Sequence, residues 1–172
     1  VGPSQESLMM GYRVPNAMDE DADLVLLVDL ILANSSAGLI DLNMVKAQRC
    51  IQAYSSTMML KERGLHYFAG TPLENQSLED LQELFYEQME LLKSGEFDME
   101  LVKSIVLNQK VSKIREYDSY RATAYSLMDA FVMNNSWSAE LSKLDHMLTY
   151  SKEDVTNFAI KYYSEGHVVV YK

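Results

Sequence analysis

Cysteine, proline and glycine are scarce in this sequence, and each shortage excludes a class of protein. A single cysteine, Cys50, can neither close a disulfide within the chain nor build a zinc site from thiolates. Three prolines and seven glycines, in a chain of 172 residues that is 48% apolar, exclude collagen-like, low-complexity and disordered proteins. Since a domain has roughly 150 residues, we expect one globular domain over residues 1–172.

Positive charge is also scarce, because 15 Lys and Arg residues face 25 Asp and Glu residues and the formal net charge is −10. Such a surface repels a nucleic-acid backbone and an anionic bilayer. The strongest candidate for a membrane span, residues 24–33, is interrupted by Asp29 and is far shorter than the roughly 20 residues that a spanning helix needs. We therefore expect no nucleic-acid partner and no membrane insertion.

The chain begins with Val1 rather than methionine, and no basic segment followed by an apolar stretch opens it. We therefore expect a processed chain or a piece of a longer one. In that case the remainder could hold both a targeting signal and the chemistry.

Hydrophobic periodicity and capping residues predict the elements in order. Strands are expected at 7–14, 50–60, 65–70 and 167–171, and helices at 19–33, 39–48, 78–94, 98–116, 120–133, from Ser138 onward, and 151–163. A strand, helices, a hairpin, a run of helices and a final strand indicate an α+β fold. We expect a two-layer sandwich in which several helices cover one face of a mostly antiparallel sheet.

Histidine occurs only at positions 66, 146 and 167, so no two imidazoles share a helical turn and no local zinc motif can form. We expect His66 and His167 to be hydrogen-bonded structural residues within strands.

The alternating acids Asp19, Asp21 and Asp23 imitate the first ligands of a calcium loop. Leu24 and Leu30 stand where that loop requires glycine and glutamate, so we interpret the acids as a solvated helix start.

Signatures of nucleotide binding and of nucleophilic catalysis are missing as well. The glycines are too dispersed for a phosphate-binding loop, and no serine has the flanking glycines of a nucleophile elbow. Cys50 opens an apolar strand and is expected to be a small buried hydrophobe. The eleven methionines and eleven tyrosines either fill the core or line a peptide-binding surface, and sequence leaves both options open.

Several stretches, taken in order, resemble one lobe of the pitrilysin/insulinase family of zinc metallopeptidases. They are the opening strand Leu8–Pro15, the helix and small-residue turn Asp23–Leu39, the segment Gly64–Asn75 with its Gly-Thr and Glu-Asn pairs, and the helix starts Asp98–Lys103 and Ser151–Val155. The match covers nearly all of the chain, and the order and spacing of the stretches carry it.

The resemblance implies a single inactive lobe with a fold like that of the mitochondrial processing peptidase. Family halves consist of two similar lobes, and only the active lobe carries the paired-His motif with its Glu and a downstream Glu ligand. Nothing in this sequence matches that motif, so the resemblance implies no catalytic residue and no metal ligand here. Zinc is expected in a partner lobe, on the same or a paired chain.

In the family's inactive type of lobe, an Arg and a Tyr seven residues later often hold substrate. Aligning Arg49-Cys50 with the family's Arg-Gly places Lys46 and Ala53 at those positions, whereas aligning Ala53-Tyr54 with its Ala-Tyr keeps the Tyr and places Ala47 at the Arg. The pair is incomplete in either alignment. Lys46, Arg49 and Tyr54 are the substrate-binding candidates.

The leading functional hypothesis is a noncatalytic lobe that helps to enclose a peptide substrate and supports a metal-bearing lobe. An alternative is an assembly scaffold, because the family includes core subunits of respiratory complexes. A third hypothesis is an independent enzyme that uses Cys50 or the carboxylates. The family's bacterial members are often envelope or cytoplasmic proteins, so the compartment stays open.

Overall fold

A four-stranded antiparallel sheet forms one layer of the structure, a computed structural model that describes residues 5–172. Its strands run in the spatial order β2-β3-β1-β4. They are β1 (Leu8–Val14), β2 (Gln52–Met59), β3 (Gly64–Thr71) and β4 (His167–Tyr171). In the register, Met9 lies opposite both Ala69 of β3 and Val170 of β4. The outer strands β2 and β4 each leave one backbone edge unpaired within this sheet.

Helices form the second layer, as the α+β prediction requires. They are α1 (Ala22–Leu32), a short helix (Asp41–Lys46), α2 (Leu78–Ser94), α3 (Met99–Glu116), α4 (Tyr120–Val132), α5 (Trp137–Met147) and α6 (Lys152–Tyr162). Among the residues described, no helix combines the length and the apolar character that crossing a bilayer demands.

Most helix starts lie where the capping residues predicted them. Ser151 and Asp154 form the reciprocal capping box of α6, and Asp98 caps α3 by accepting from the amides of Glu100 and Leu101. The predicted start of α5 at Ser138 is wrong, because the Ser136 hydroxyl accepts from the Ala139 amide and caps the helix earlier.

The expected helix 39–48 begins at Leu39, as predicted, and ends at Lys46, and its stretch Asp41–Lys46 has a different hydrogen-bond pattern. There, amides bond to carbonyls five residues back in the wider π-type turn, as in the Arg49 amide to the Met44 carbonyl at 2.8 Å.

The core lies between the helices and one face of the sheet. Alternate residues of β1 are buried, and Phe68 of β3 packs with Phe85 of α2 and Tyr163 after α6. The opposite face carries exposed apolar side chains, which are Met9, Met58, Leu65, Val168 and Val170. This one-sided coverage confirms the two-layer sandwich and leaves an apolar sheet face bare.

Loss of the capping hydroxyl of α2 tests the local contribution to stability. Ser77 accepts from the Asp80 amide at 3.0 Å and begins a long helix of the core layer. We expect Ser77→Ala to lower the free energy of unfolding by about 1 kcal/mol in urea denaturation. The matched control is Ser104→Ala within α3, where the hydroxyl bonds only to the helix's own Glu100 carbonyl and alanine favours the helix. Equal losses of unfolding free energy in the two variants would contradict the assignment of Ser77 as the N-cap of α2.

Candidate functional site

A groove of about 380 Å³ lies beside the edge strand β2, and it holds two of the three predicted substrate-binding residues. The end of α1, the short helix and β2 form its walls. Its lining residues are Ala33, Ser35, Asp41, Val45, Lys46, Gln52, Ala53, Tyr54 and Ser55. The groove therefore combines polar side chains with the unpaired backbone edge of a strand.

The turn between α1 and the short helix fixes one wall of the groove. The Asp41 carboxylate accepts from the backbone amides of Asn34, Ser36 and Gly38 at 2.8, 3.2 and 3.1 Å. The Lys46 ammonium group donates to the Ser36 carbonyl. Because several hydrogen bonds hold this turn, the Lys46 charge has a defined position at the groove.

Tyr54 and Arg49 have different surroundings. The Tyr54 ring lies on the bare face of the sheet, edge-on to Tyr67 at 6.4 Å between ring centroids. Arg49 does not line the groove, and its guanidinium makes a two-pronged ion pair with Glu87 of α2 at 2.7 and 3.0 Å. Hydrogen bonding to Glu87 raises the pKa of Arg49. The fold thus brings Lys46 and Tyr54 together and separates Arg49 from them, while a substrate role for each stays a prediction.

A polar network that joins four elements underlies the groove. The Asp29 Oδ1 atom of α1 accepts from the Ser55 hydroxyl of β2 at 2.5 Å and lies 3.1 Å from His66 Nε2 of β3. His66 Nδ1 lies 2.7 Å from the Tyr163 hydroxyl. Burial, with a smaller contribution from the Asp29 charge, raises the pKa of Tyr163 well above its usual value. Tyr163 therefore stays a neutral phenol at physiological pH.

The network holds a Ser, an Asp and a His but does not have the geometry of nucleophilic catalysis. The Ser55 hydroxyl bonds to the carboxylate rather than to the imidazole, and His66 is fully buried. A nucleophile needs a base within hydrogen-bond reach and a substrate path to both. The arrangement instead fixes β2 and β3 to α1 and α6, and so holds the groove in shape.

The prediction that His66 and His167 are hydrogen-bonded structural residues is confirmed. His167 Nε2 lies 2.7 Å from the Tyr86 hydroxyl, and its ring stacks on Tyr12. Asp29, the centre of the network, was not recognised as a site residue from the sequence. The available signal was one carboxylate inside an otherwise apolar helix, since such a group must find partners when it is buried.

Removal of the shared carboxylate tests this network. We expect Asp29→Ala to cost about 1–3 kcal/mol of unfolding free energy, because buried His66 and Ser55 lose their acceptor. Asp23→Ala is the matched control, since Asp23 pairs with the exposed His146 at 2.8 Å and should cost at most about 1 kcal/mol. Urea denaturation measures both. A cost at Asp29 no larger than at Asp23 would contradict a structural role for the network.

Cys50 is buried before β2, as the sequence predicted. Burial raises the pKa of its thiol, and the opposing effect of the Arg49 charge is smaller. The nucleophilic thiolate is therefore scarce at neutral pH.

Thiol modification provides the corresponding test. We expect a disulfide reagent such as Ellman's to modify native Cys50 at least about tenfold more slowly at pH 7 than the urea-unfolded chain. The native rate should rise with pH, because alkali forms the thiolate. Equal modification rates in the native and the unfolded chain would support the hypothesis that Cys50 is a nucleophile.

The other candidate metal ligands are separated from one another. Within residues 5–172, no group of three His, Cys, Asp or Glu side chains is placed to hold a metal ion. The acidic side chains at the start of α1 have different partners. Asp23 bonds to His146, and the Asp21 carboxylate lies 3.7 Å from the Lys161 ammonium group.

Comparison with known proteins shows which solved structures share this fold. No family model and no curated protein sequence matches the chain. Among solved structures, a protease from Helicobacter pylori is similar over 99% of this chain with a TM-score of 0.89 and 24% identity. The inactive peptidase domain of a candidate zinc protease from Bordetella parapertussis is similar over the whole chain, with a TM-score of 0.82 and 18% identity. The chain has the fold of an inactive M16 peptidase lobe.

The M16-like lobe accounts for different shares of these structures. It spans 92% of the Bordetella chain but only 41% of the Helicobacter protease. A peptidase M16 inactive-domain structure from Pseudomonas fluorescens, with a TM-score of 0.76 and 18% identity, is also spanned to 41%. The fold expected from the resemblance to the pitrilysin and insulinase family is thereby confirmed.

Proposed function

We propose that this chain is a noncatalytic lobe of a zinc metallopeptidase, one that helps to enclose peptides and supports a separate metal-bearing lobe. The observation that carries the proposal is the likeness over the whole chain to an inactive peptidase domain, of which the lobe spans 92%. The activity, substrate and partner of the whole protein belong to the proposal, because identities of 18–24% establish the fold alone.

The environments of the three histidines support a noncatalytic role. His66 lies in the core network, His167 bonds to Tyr86, and His146 pairs with Asp23. A catalytic zinc site needs three convergent protein ligands and one open position for water. The three imidazoles are engaged in separate places, so in this proposal the zinc and its activated water belong to the partner lobe.

The wall of the peptide chamber would be formed by β2 and the bare face of the sheet. An unpaired strand edge offers backbone donors and acceptors to an extended peptide, and apolar side chains such as Met58 and Tyr54 offer contact area. A net charge of −10 would attract basic peptides in preference to acidic ones, and salt would weaken this attraction. A lobe of this kind contributes by orienting the peptide and excluding water at the metal of its partner.

An assembly scaffold is the second candidate function. A chain of complex III2 from Candida albicans shares the fold, with a TM-score of 0.76 over 97% of this chain at 8% identity. The incomplete Arg/Tyr pair favours this candidate as well. In that case the lobe would hold a complex together without any step of proteolysis.

Reconstitution with a partner lobe distinguishes the two functions. We expect this chain and a lobe with a paired-His motif, encoded in the same gene or beside it, to cleave a fluorogenic peptide library with zinc only when both are present. Cleavage by this chain and zinc alone at the rate of the pair would contradict the noncatalytic assignment. A stable pair that cleaves no peptide would favour the scaffold.

A substitution on β2 tests the chamber wall in that reconstituted pair. Tyr54→Ala should raise KM roughly three- to tenfold with little change in kcat, because one aromatic contact to the peptide is lost. Tyr171→Ala on the opposite edge strand is the matched control, since Tyr171 is 46% exposed and Tyr54 is 40% exposed. Unchanged KM for Tyr54→Ala would remove this wall from the proposal.

A further inference from the structure

A second cavity, at the end of β2, is lined by three methionines from distant parts of the chain. Its volume is about 270 Å³, and it shares no lining residue with the groove beside β2. Met18 lies in the loop after β1, Met59 is the last residue of β2, and Met133 follows α4. The fold therefore gathers three thioethers around one small cavity.

These three methionines differ from those that are enclosed in the core. Met10 and Met44 are fully buried, whereas Met18 is 50% exposed and Met59 and Met133 are half-buried. A cavity with an exposed side chain in its lining is open to a small solute. The sulfur atoms of this cluster are thus accessible in a way that those of the core methionines are not.

Hydrogen bonds hold the segments that carry the three side chains. The Met18 amide donates to the Asn16 side chain at 2.8 Å. The Ala17 amide donates to the Leu60 carbonyl at 3.0 Å, which ties this loop to the chain directly after Met59. The third methionine is held at the C-terminal end of α4. The cavity is therefore formed by fixed backbone segments.

The charges of the lining favour a cation. Asp19, Glu20 and Asp23 line the cavity with a single ammonium group, that of Lys143, so negative charge is in excess. An apolar molecule would have to desolvate these groups at a cost. The carboxylates are not a site by themselves, because Asp23 pairs with His146 and no three acidic, His or Cys side chains converge within residues 5–172.

We propose that Met18, Met59 and Met133 form a binding site for a soft monovalent cation of the Cu(I) class, coordinated by their sulfur atoms. Thioethers are soft ligands that select Cu(I), whereas carboxylates and carbonyls suit Mg²⁺ and Ca²⁺. The ligands are neutral, so the acidic lining supplies the charge that balances the ion. The site goes beyond the proposed function and is compatible with a peptidase lobe and with a scaffold.

The experiment titrates the 172-residue chain with silver nitrate in a chloride-free buffer, because Ag(I) is a soft monovalent ion that does not change its oxidation state there. We expect one Ag(I) to bind per chain, and Met18→Leu, Met59→Leu and Met133→Leu each to weaken the affinity at least about tenfold. Leucine keeps the volume and the apolar character of methionine. Thermal unfolding near the wild-type temperature verifies that each variant folds.

Two controls separate this site from other soft donors. Met58→Leu changes the neighbouring residue of β2, which is 50% exposed on the bare face of the sheet, and should bind Ag(I) like the wild type. Cys50 lies outside the cavity lining, so Cys50→Ala should bind like the wild type as well. Competition with a chromophoric Cu(I) chelator under anaerobic conditions repeats the series with copper, and Zn²⁺ should not displace the bound ion.

A measurement on the wild-type chain avoids substitutions in the site. In spectra of the chain labelled with ¹³C-methyl methionine, Ag(I) should shift the methyl resonances of Met18, Met59 and Met133. The resonance of Met58 should stay in place, and the Leu variants assign each signal.

The remaining outcomes overturn the site. They are a wild-type chain that binds no Ag(I), binding that survives all three Leu substitutions in the cavity, and binding that Cys50→Ala abolishes. Shifts confined to other methionines would overturn it too. None of these results bears on pairing with a metal-bearing lobe, so failure of the site is distinguishable from failure of the proposed function.

Discussion

Packing of helices on one face of a single sheet is the constraint on which the rest of this structure depends. The alternating side chains of β1 place Met10 and Tyr12 in the core beneath the helices, and every second residue of the neighbouring strands follows the same direction. Because all of the packing lies on that face, the opposite face stays open, and the edge of β2 stays open as well. The two surfaces that the proposed function assigns to peptide contact are therefore consequences of how the core is formed.

The same packing places a carboxylate next to the core, where it needs compensation. Asp29 is tolerated in apolar α1 because Ser55 and His66 approach one of its oxygens from two strands. These contacts also fix β2, and with it the groove that contains Lys46 and Tyr54. The network of Asp29, Ser55 and His66 thus stabilises the fold. A structural role for these polar residues agrees with the proposed noncatalytic lobe.

Two kinds of surface result, and they differ in character. The groove and the bare sheet face offer an unpaired backbone edge, a lysine and scattered apolar side chains, which suits extended peptides of varied sequence. The surface of α3, α4 and α5 offers a cavity with an exposed apolar rim and no net charge.

The sequence by itself determined the architecture, because its signals are local. Capping at Ser151, the hydrophobic period of α2 and the β-rich segments each depend on neighbours within a few residues, and the dispersed histidines already argued against zinc. Only the tertiary structure decided which distant residues meet. Arg49 pairs with Glu87 and Asp29 lies beside His66, and both contacts depend on how helices and strands far apart in the chain pack together.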